Sequence, residues 1–173
     1  MNKTLLAIAF AFAAAAPALA ETIGTITASI DGGEERSFHA IAEDGESQSF
    51  WTQIMPGSLS GSSFSIWGNP GQGENATSDV LIVAATLMRG PGGYIAIADA
   101  QYLENYFSKY WMAPEGDSVQ MTLSRVEENG DTLIVEGKFN APLFYTEGAA
   151  EQKTDMNRKM TISGSFSVNL PKQ

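Results

Sequence analysis

Six apolar side chains recur in pairs four residues apart: Tyr102-Leu103, Tyr106-Phe107 and Tyr110-Trp111. Rings at that spacing share one face of a helix, and a stripe of phenols and indole offers a sugar, a lipid or a peptide apolar area with polar handles. Tyr102, Tyr106, Tyr110 and Trp111 are therefore the candidate ligand contacts. Leu103 and Phe107 are expected to turn into the core, because so wide a stripe left wholly exposed invites aggregation. The same pattern also describes a helix whose rings simply pack on a sheet.

Chemistry that needs a nucleophile or a metal finds little to work with. The only histidine, His39, lies in Arg36-Ser-Phe-His-Ala-Ile41 and reads as a strand residue making an ordinary hydrogen bond. Cysteine is absent, which removes thiol catalysis and thiolate zinc sites and leaves any transition metal to be held mostly by carboxylates. Gly57-Ser-Leu-Ser-Gly61 carries leucine where a nucleophile elbow needs serine, and no Ser-x-x-Lys spacing occurs. Gly71-Gln-Gly73-Glu-Asn-Ala76 matches a dinucleotide fingerprint in outline, but Asn69-Pro70 precedes it and a β-branched run follows, so no helix N-terminus is there for a pyrophosphate. Asn75-Ala-Thr77 fits a glycosylation acceptor. Twenty acidic residues allow a glycosidase carboxylate pair without locating it, and the turns at Asp31-Gly-Gly-Glu-Glu35 and Asp44-Gly-Glu46 read as solvated loops rather than calcium sites. No catalytic residue, metal ligand or cofactor is assigned from the sequence.

The elements that must carry these residues are written mostly in period two. Apolar residues alternate with hydroxyls in Ile26-Thr-Ala-Ser-Ile30, Phe64-Ser-Ile66 and Met121-Thr-Leu123-Ser, which marks half-buried strands. Val80 to Leu87 is a continuous apolar run and suits a central strand covered on both faces. Glycine-rich and Asx turns punctuate these segments, and Asn129-Gly130 joins Val119–Val126 to Thr132–Phe139 as a tight hairpin. The polar stretch Thr146 to Lys159 is expected to be a loop before a final strand over Met160–Leu170. The fold class is mainly β, an antiparallel sandwich or a partly open barrel, with one amphipathic helix over about residues 99–113 capped by Asp99 and stopped by Pro114.

Composition sets the remaining bounds. Met1-Asn-Lys3, an apolar run from Leu5 to Ala16 and the small residues of Ala18-Leu19-Ala20 read as a secretory signal peptide over residues 1–20, cleaved after Ala20. A single domain over residues 21–173 follows, in the periplasm or outside the cell, and nothing after the signal approaches the about eighteen consecutive apolar residues of a membrane span. The net charge is −10, which argues against nucleic acid and anionic membrane surfaces as partners.

Gly24-Thr-Ile-Thr-Ala-Ser-Ile-Asp-Gly-Gly-Glu-Glu-Arg36, Phe64-Ser-Ile-Trp-Gly-Asn-Pro70, Val126-Glu-Glu-Asn-Gly-Asp131 and Ile162-Ser-Gly-Ser-Phe-Ser-Val168 together resemble a group of uncharacterised exported bacterial β-rich proteins. The resemblance implies an exported bacterial β domain and transfers no site residue. Two functions are in keeping with the sequence: a non-catalytic exported domain binding a small molecule, glycan or protein partner, and, as the alternative, a carboxylate-dependent glycan hydrolase.

Overall fold

The computed structural model describes residues 20–55, 61–73, 75–116, 118–148 and 152–173. Residues 1–19, which hold nearly all of the signal-like segment, and most of Gly57-Ser-Leu-Ser-Gly61 lie outside that set. Among the described residues eleven strands form one antiparallel sheet: β1 Glu21–Ile30, β2 Arg36–Glu43, β3 Glu46–Ser47, β4 Phe50–Gln53, β5 Ser62–Gly68, β6 Val80–Gly90, β7 Gly93–Asn105, β8 Lys109–Met112, β9 Gln120–Asn129, β10 Thr132–Glu147 and β11 Lys153–Pro171. Their order is β3-β2-β1-β11-β10-β8-β7-β6-β5-β4, with β9 paired to the other stretch of β10.

Alternation drives the architecture, since every second residue of a strand faces one side. Inward residues Ile26 and Ala28 of β1, Phe64 and Ile66 of β5, Leu81, Val83 and Leu87 of β6, Leu133, Val135 and Leu143 of β10, and Ile162, Phe166 and Val168 of β11 meet in a single core. The sheet curls around that core until its ends touch. His39 and Asn69 exchange backbone hydrogen bonds of 2.7 and 2.8 Å, and Gln173 N–H donates to the Trp51 carbonyl at 2.9 Å. Two isolated bridges, His39 with Asn69 and Trp51 with Lys172, are not a ladder, so the sheet is curled but not closed into a barrel.

The strand expectations hold. Val80–Leu87 lies inside β6, between β5 and β7, and Asn129 pairs with Thr132 across a two-residue turn in which Gly130 takes a φ of 64°. Asp44 and Gly45 both take positive φ in the β2–β3 turn, the conformation Asp-Gly favours in a two-residue hairpin loop.

The amphipathic helix over residues 99–113 does not exist. Residues 93–105 are β7 and residues 109–112 are β8, reversed by a turn at Tyr106 with φ 46°. The four-residue spacing has another origin: Tyr102 pairs with Trp111 and Leu103 with Tyr110, so the sequence mirrors itself about a hairpin turn. Adjacent apolar residues here mean a strand covered on both faces, and aromatic side chains favour that setting. Within the expected loop at Thr146–Lys159 the described residues are likewise largely strand, with Tyr145, Thr146 and Glu147 opposite Asp155, Thr154 and Lys153.

Candidate functional site

The hairpin separates the four aromatic candidates instead of aligning them. Tyr102 and Trp111 point inward and belong to the main core, each 9% exposed. Tyr110 points outward yet is buried, in a second cluster with Val80 and Leu103 that Trp67, Ile82, Phe107 and Met112 surround. Phe107 turns back over this cluster, its ring edge-on to Trp67 at 6.4 Å and to Tyr110 at 6.0 Å. Only Tyr106, at the turn, is open to solvent, at 51%. Leu103 is fully buried and Phe107 half-buried, both in this outer cluster.

Each inward ring is tied to a charged group. The Tyr102 hydroxyl donates to Asp79, and Arg36 donates to Asp79 and, at 3.5 Å, to the Tyr102 oxygen. Burial, and next the Asp79 carboxylate, push the Tyr102 phenol above the ordinary tyrosine value, while the hydrogen bond to Asp79 is the largest influence raising Arg36. Burial alone raises Tyr110. Trp111 Nε1–H donates to Glu104 at 2.8 Å, and its ring stands edge-on to Tyr145 at 5.2 Å. These contacts lock Tyr102 and Trp111 as parts of the scaffold.

Exposed apolar surface lies elsewhere, on the outer face of β6 and β7. Met88 opposes Ile95 and Thr86 opposes Ile97, so three large apolar side chains, 45 to 54% exposed, stand in adjacent register. Beside them a shallow depression of about 250 Å³ runs across β5, β6 and β7, formed by the small side chains of Ser63, Ser65 and Ala84 and walled by Phe50, Ile97 and Asp99. Sequence reading passed over this row, although Gly93-Tyr-Ile-Ala-Ile-Ala-Asp99 carries the signal: its apolar residues do not alternate, so both faces of β7 are apolar.

A second, polar depression of about 240 Å³ sits at the far end of β10 and β11, lined by Tyr145, Glu147, Lys153, Thr154, Asp155 and Arg158. A third, of about 460 Å³, surrounds the Asp44 turn with Glu43, Glu46, Ser47, Gln48 and Asn75. His39 sits on β2 with Nδ1 buried and without a partner, and the Trp67 Nε1–H is in the same state. Among the described residues no three acidic or histidine side chains gather closely enough to hold a metal ion, and no helix is long and apolar enough to cross a membrane.

No protein-family model, curated protein or solved structure matches this chain. The site is accordingly read from its own chemistry.

Proposed function

We propose that the protein is an exported, non-catalytic binding domain whose contact surface is the outer face of β5, β6 and β7. The observation that carries this is the exposed row Met88, Ile95 and Ile97 beside the Ser63–Ser65–Ala84 depression. These side chains stand on the opposite face of the strands from the main core, and adjacent exposed apolar groups on a soluble domain mark a surface that another molecule covers. A ligand or envelope partner with an apolar edge would bury the two isoleucines while Ser63, Ser65 and Asp99 supply hydrogen bonds at the rim. Export to the periplasm or beyond is supported by the Lys3, apolar-run and Ala18-Leu-Ala20 pattern and by the resemblance to exported bacterial proteins.

Native mass spectrometry of protein isolated from the producing cell tests both parts. The expected result is a chain starting at Glu21 that carries additional bound mass, lost in the Ile97→Lys variant. A chain retaining Met1, or the same bound mass in the variant, would overturn the corresponding part. The hydrolase reading draws on one feature, the presence of Glu147 and Asp155 in a single depression beside Tyr145. It predicts turnover of chromogenic glycosides that Glu147→Gln abolishes.

A further inference from the structure

The β10–β11 ladder breaks at one place. Phe144 pairs with Lys159, but the next residue, Tyr145, pairs with Asp155, so Met156, Asn157 and Arg158 stand out of the ladder as a bulge. Bulges re-aim side chains and gather at sheet ends and working sites. This one is held by the Asn157 N–H donating to Asp155 Oδ1 at 2.9 Å. It places the Arg158 guanidinium 3.4 Å from the centre of the Tyr145 ring and 5.5 Å from that of Trp111.

The shelf under Arg158 is rigid. Tyr145 is 5% exposed, its hydroxyl donates to Glu147 Oε1 at 2.8 Å, and Trp111 is anchored by Glu104. The nearest acids are thereby partly occupied: Glu147 by Tyr145 and Asp155 by the bulge. In a chain with twice as many acidic as basic residues, Arg36 and Arg125 are both ion-paired, whereas among the described residues Arg158 and its neighbour Lys153 form no ion pair. The five N–H donors of Arg158 likewise have no protein acceptor there.

We propose that Arg158, held on the Tyr145 shelf beside Lys153, is a subsite for a hydroxylated monocarboxylate the size of one sugar ring, a hexuronate being the simplest example. A guanidinium fork matches the two oxygens of a planar carboxylate, and charge-assisted bonds of this kind are among the strong ones. The free oxygens of Glu147 and Asp155 accept from ring hydroxyls, and the Thr154 hydroxyl, which also bonds to that of Thr146 at 3.0 Å, offers a further polar contact. With Glu147 and Asp155 beside Lys153 and Arg158 the lining carries no net positive charge, so a phosphate dianion gains no surplus attraction there, whereas the planar fork still matches a carboxylate. The depression falls just below the about 300 Å³ lower bound of usual ligand pockets, which suits one ring and excludes a chain of them. The subsite goes beyond the contact face proposed above and lies on a different surface, so Ile97→Lys and Arg158 variants fail independently.

The test titrates galacturonate, galactose and inorganic phosphate into ¹⁵N-labelled protein, following the amides of Tyr145, Thr154 and Asp155 and the Arg158 Nε–H by nuclear magnetic resonance. Galacturonate should shift these signals saturably and at least about ten-fold more tightly than galactose or phosphate. Arg158→Gln should weaken it about ten-fold or more, and Arg158→Lys, which keeps the charge but not the fork, by a smaller factor. Should Arg158→Gln fail to fold, Arg158→Lys carries the comparison. Absence of saturation by galacturonate up to about 20 mM, equal binding of phosphate, or unchanged affinity in a folded Arg158 variant would each overturn the assignment.

Discussion

Two halves of one sheet share an inward face and differ on the outward one. On β1, β2 and β11 the outward positions include Thr25, Thr27, Ser29, Ser37, Ser163, Ser165 and Ser167, a cross-strand field of hydroxyls that is half-buried on β1 and exposed on β11. On β6 and β7 they include Ile82, Ala84, Met88, Ile95 and Ile97, interrupted by Thr86, Asp99 and Gln101. Inward, both halves give the same core of Ile, Leu, Val and Phe. Folding constrains the inward set in both halves alike, so the outward residues are the ones left to record what the surface meets. The hydroxyl half meets solvent; the apolar half is either roofed by its own chain, as Phe107 roofs Tyr110 and Trp67, or left exposed, as at Ile95 and Ile97.

The largest effect should come from the β7–β8 hairpin, where the two faces lie back to back. Trp111→Ala removes a core ring and should cost about 3–5 kcal/mol in urea unfolding. Tyr106→Ala, at the exposed turn, should stay within about 0.5 kcal/mol. Equal losses would mean that the rings act as one unit and that the two-faced hairpin is misdescribed.

A smaller loss should follow in the hydroxyl half, where β1 and β11 approach closely. A Cβ on Gly164 would stand 2.3 Å from the Thr27 carbonyl oxygen and 2.9 Å from Ala28 Cα, and backbone cannot step aside as a side chain can. Gly164→Ala should cost about 1–3 kcal/mol by strain, whereas Gly71→Ala, facing open space, should cost nothing measurable.

Alkaline pH reads the aromatic side of the comparison. Burial raises Tyr102 and Tyr110 in the folded protein, so below the unfolded tyrosine value of about 10 their contribution is complete. Above it the unfolded chain releases these protons first, and stability falls until the raised folded values are passed. Unfolding free energy should therefore begin to drop near about pH 10 and keep falling above it, with a shallower slope in Tyr110→Phe. An unchanged slope would mean that Tyr110 is not desolvated.

Strands and turns were legible because the core imposes period two wherever it is covered on one side only, as in Ile26–Ile30 and around Asn129-Gly130. The rule weakens where that condition fails. Tyr102-Leu103 and Tyr110-Trp111 are covered on both faces, and a hairpin mirrored about Tyr106–Phe107 imitates a helical repeat. Lys153–Lys159 is almost wholly exposed beyond the end of the core, so no apolar alternation marks it as strand. The Met88–Ile97 row was readable from the unbroken apolar run of β7, but only once its pairing with β6 set the residues side by side. Arg158 had no sequence signal, since its position depends on a bulge and on a ring thirteen residues away.

The proposed contact surface is the apolar half of the outer face and not the hydroxyl half. Photo-crosslinking in the producing cell addresses it directly, with a photoreactive side chain placed at Ile97 in one protein and at Ser165 in another. A discrete adduct is expected from position 97, lost when Ile95 is also changed to Lys, and none from position 165. An adduct of equal yield from Ser165, or none from Ile97, would contradict it.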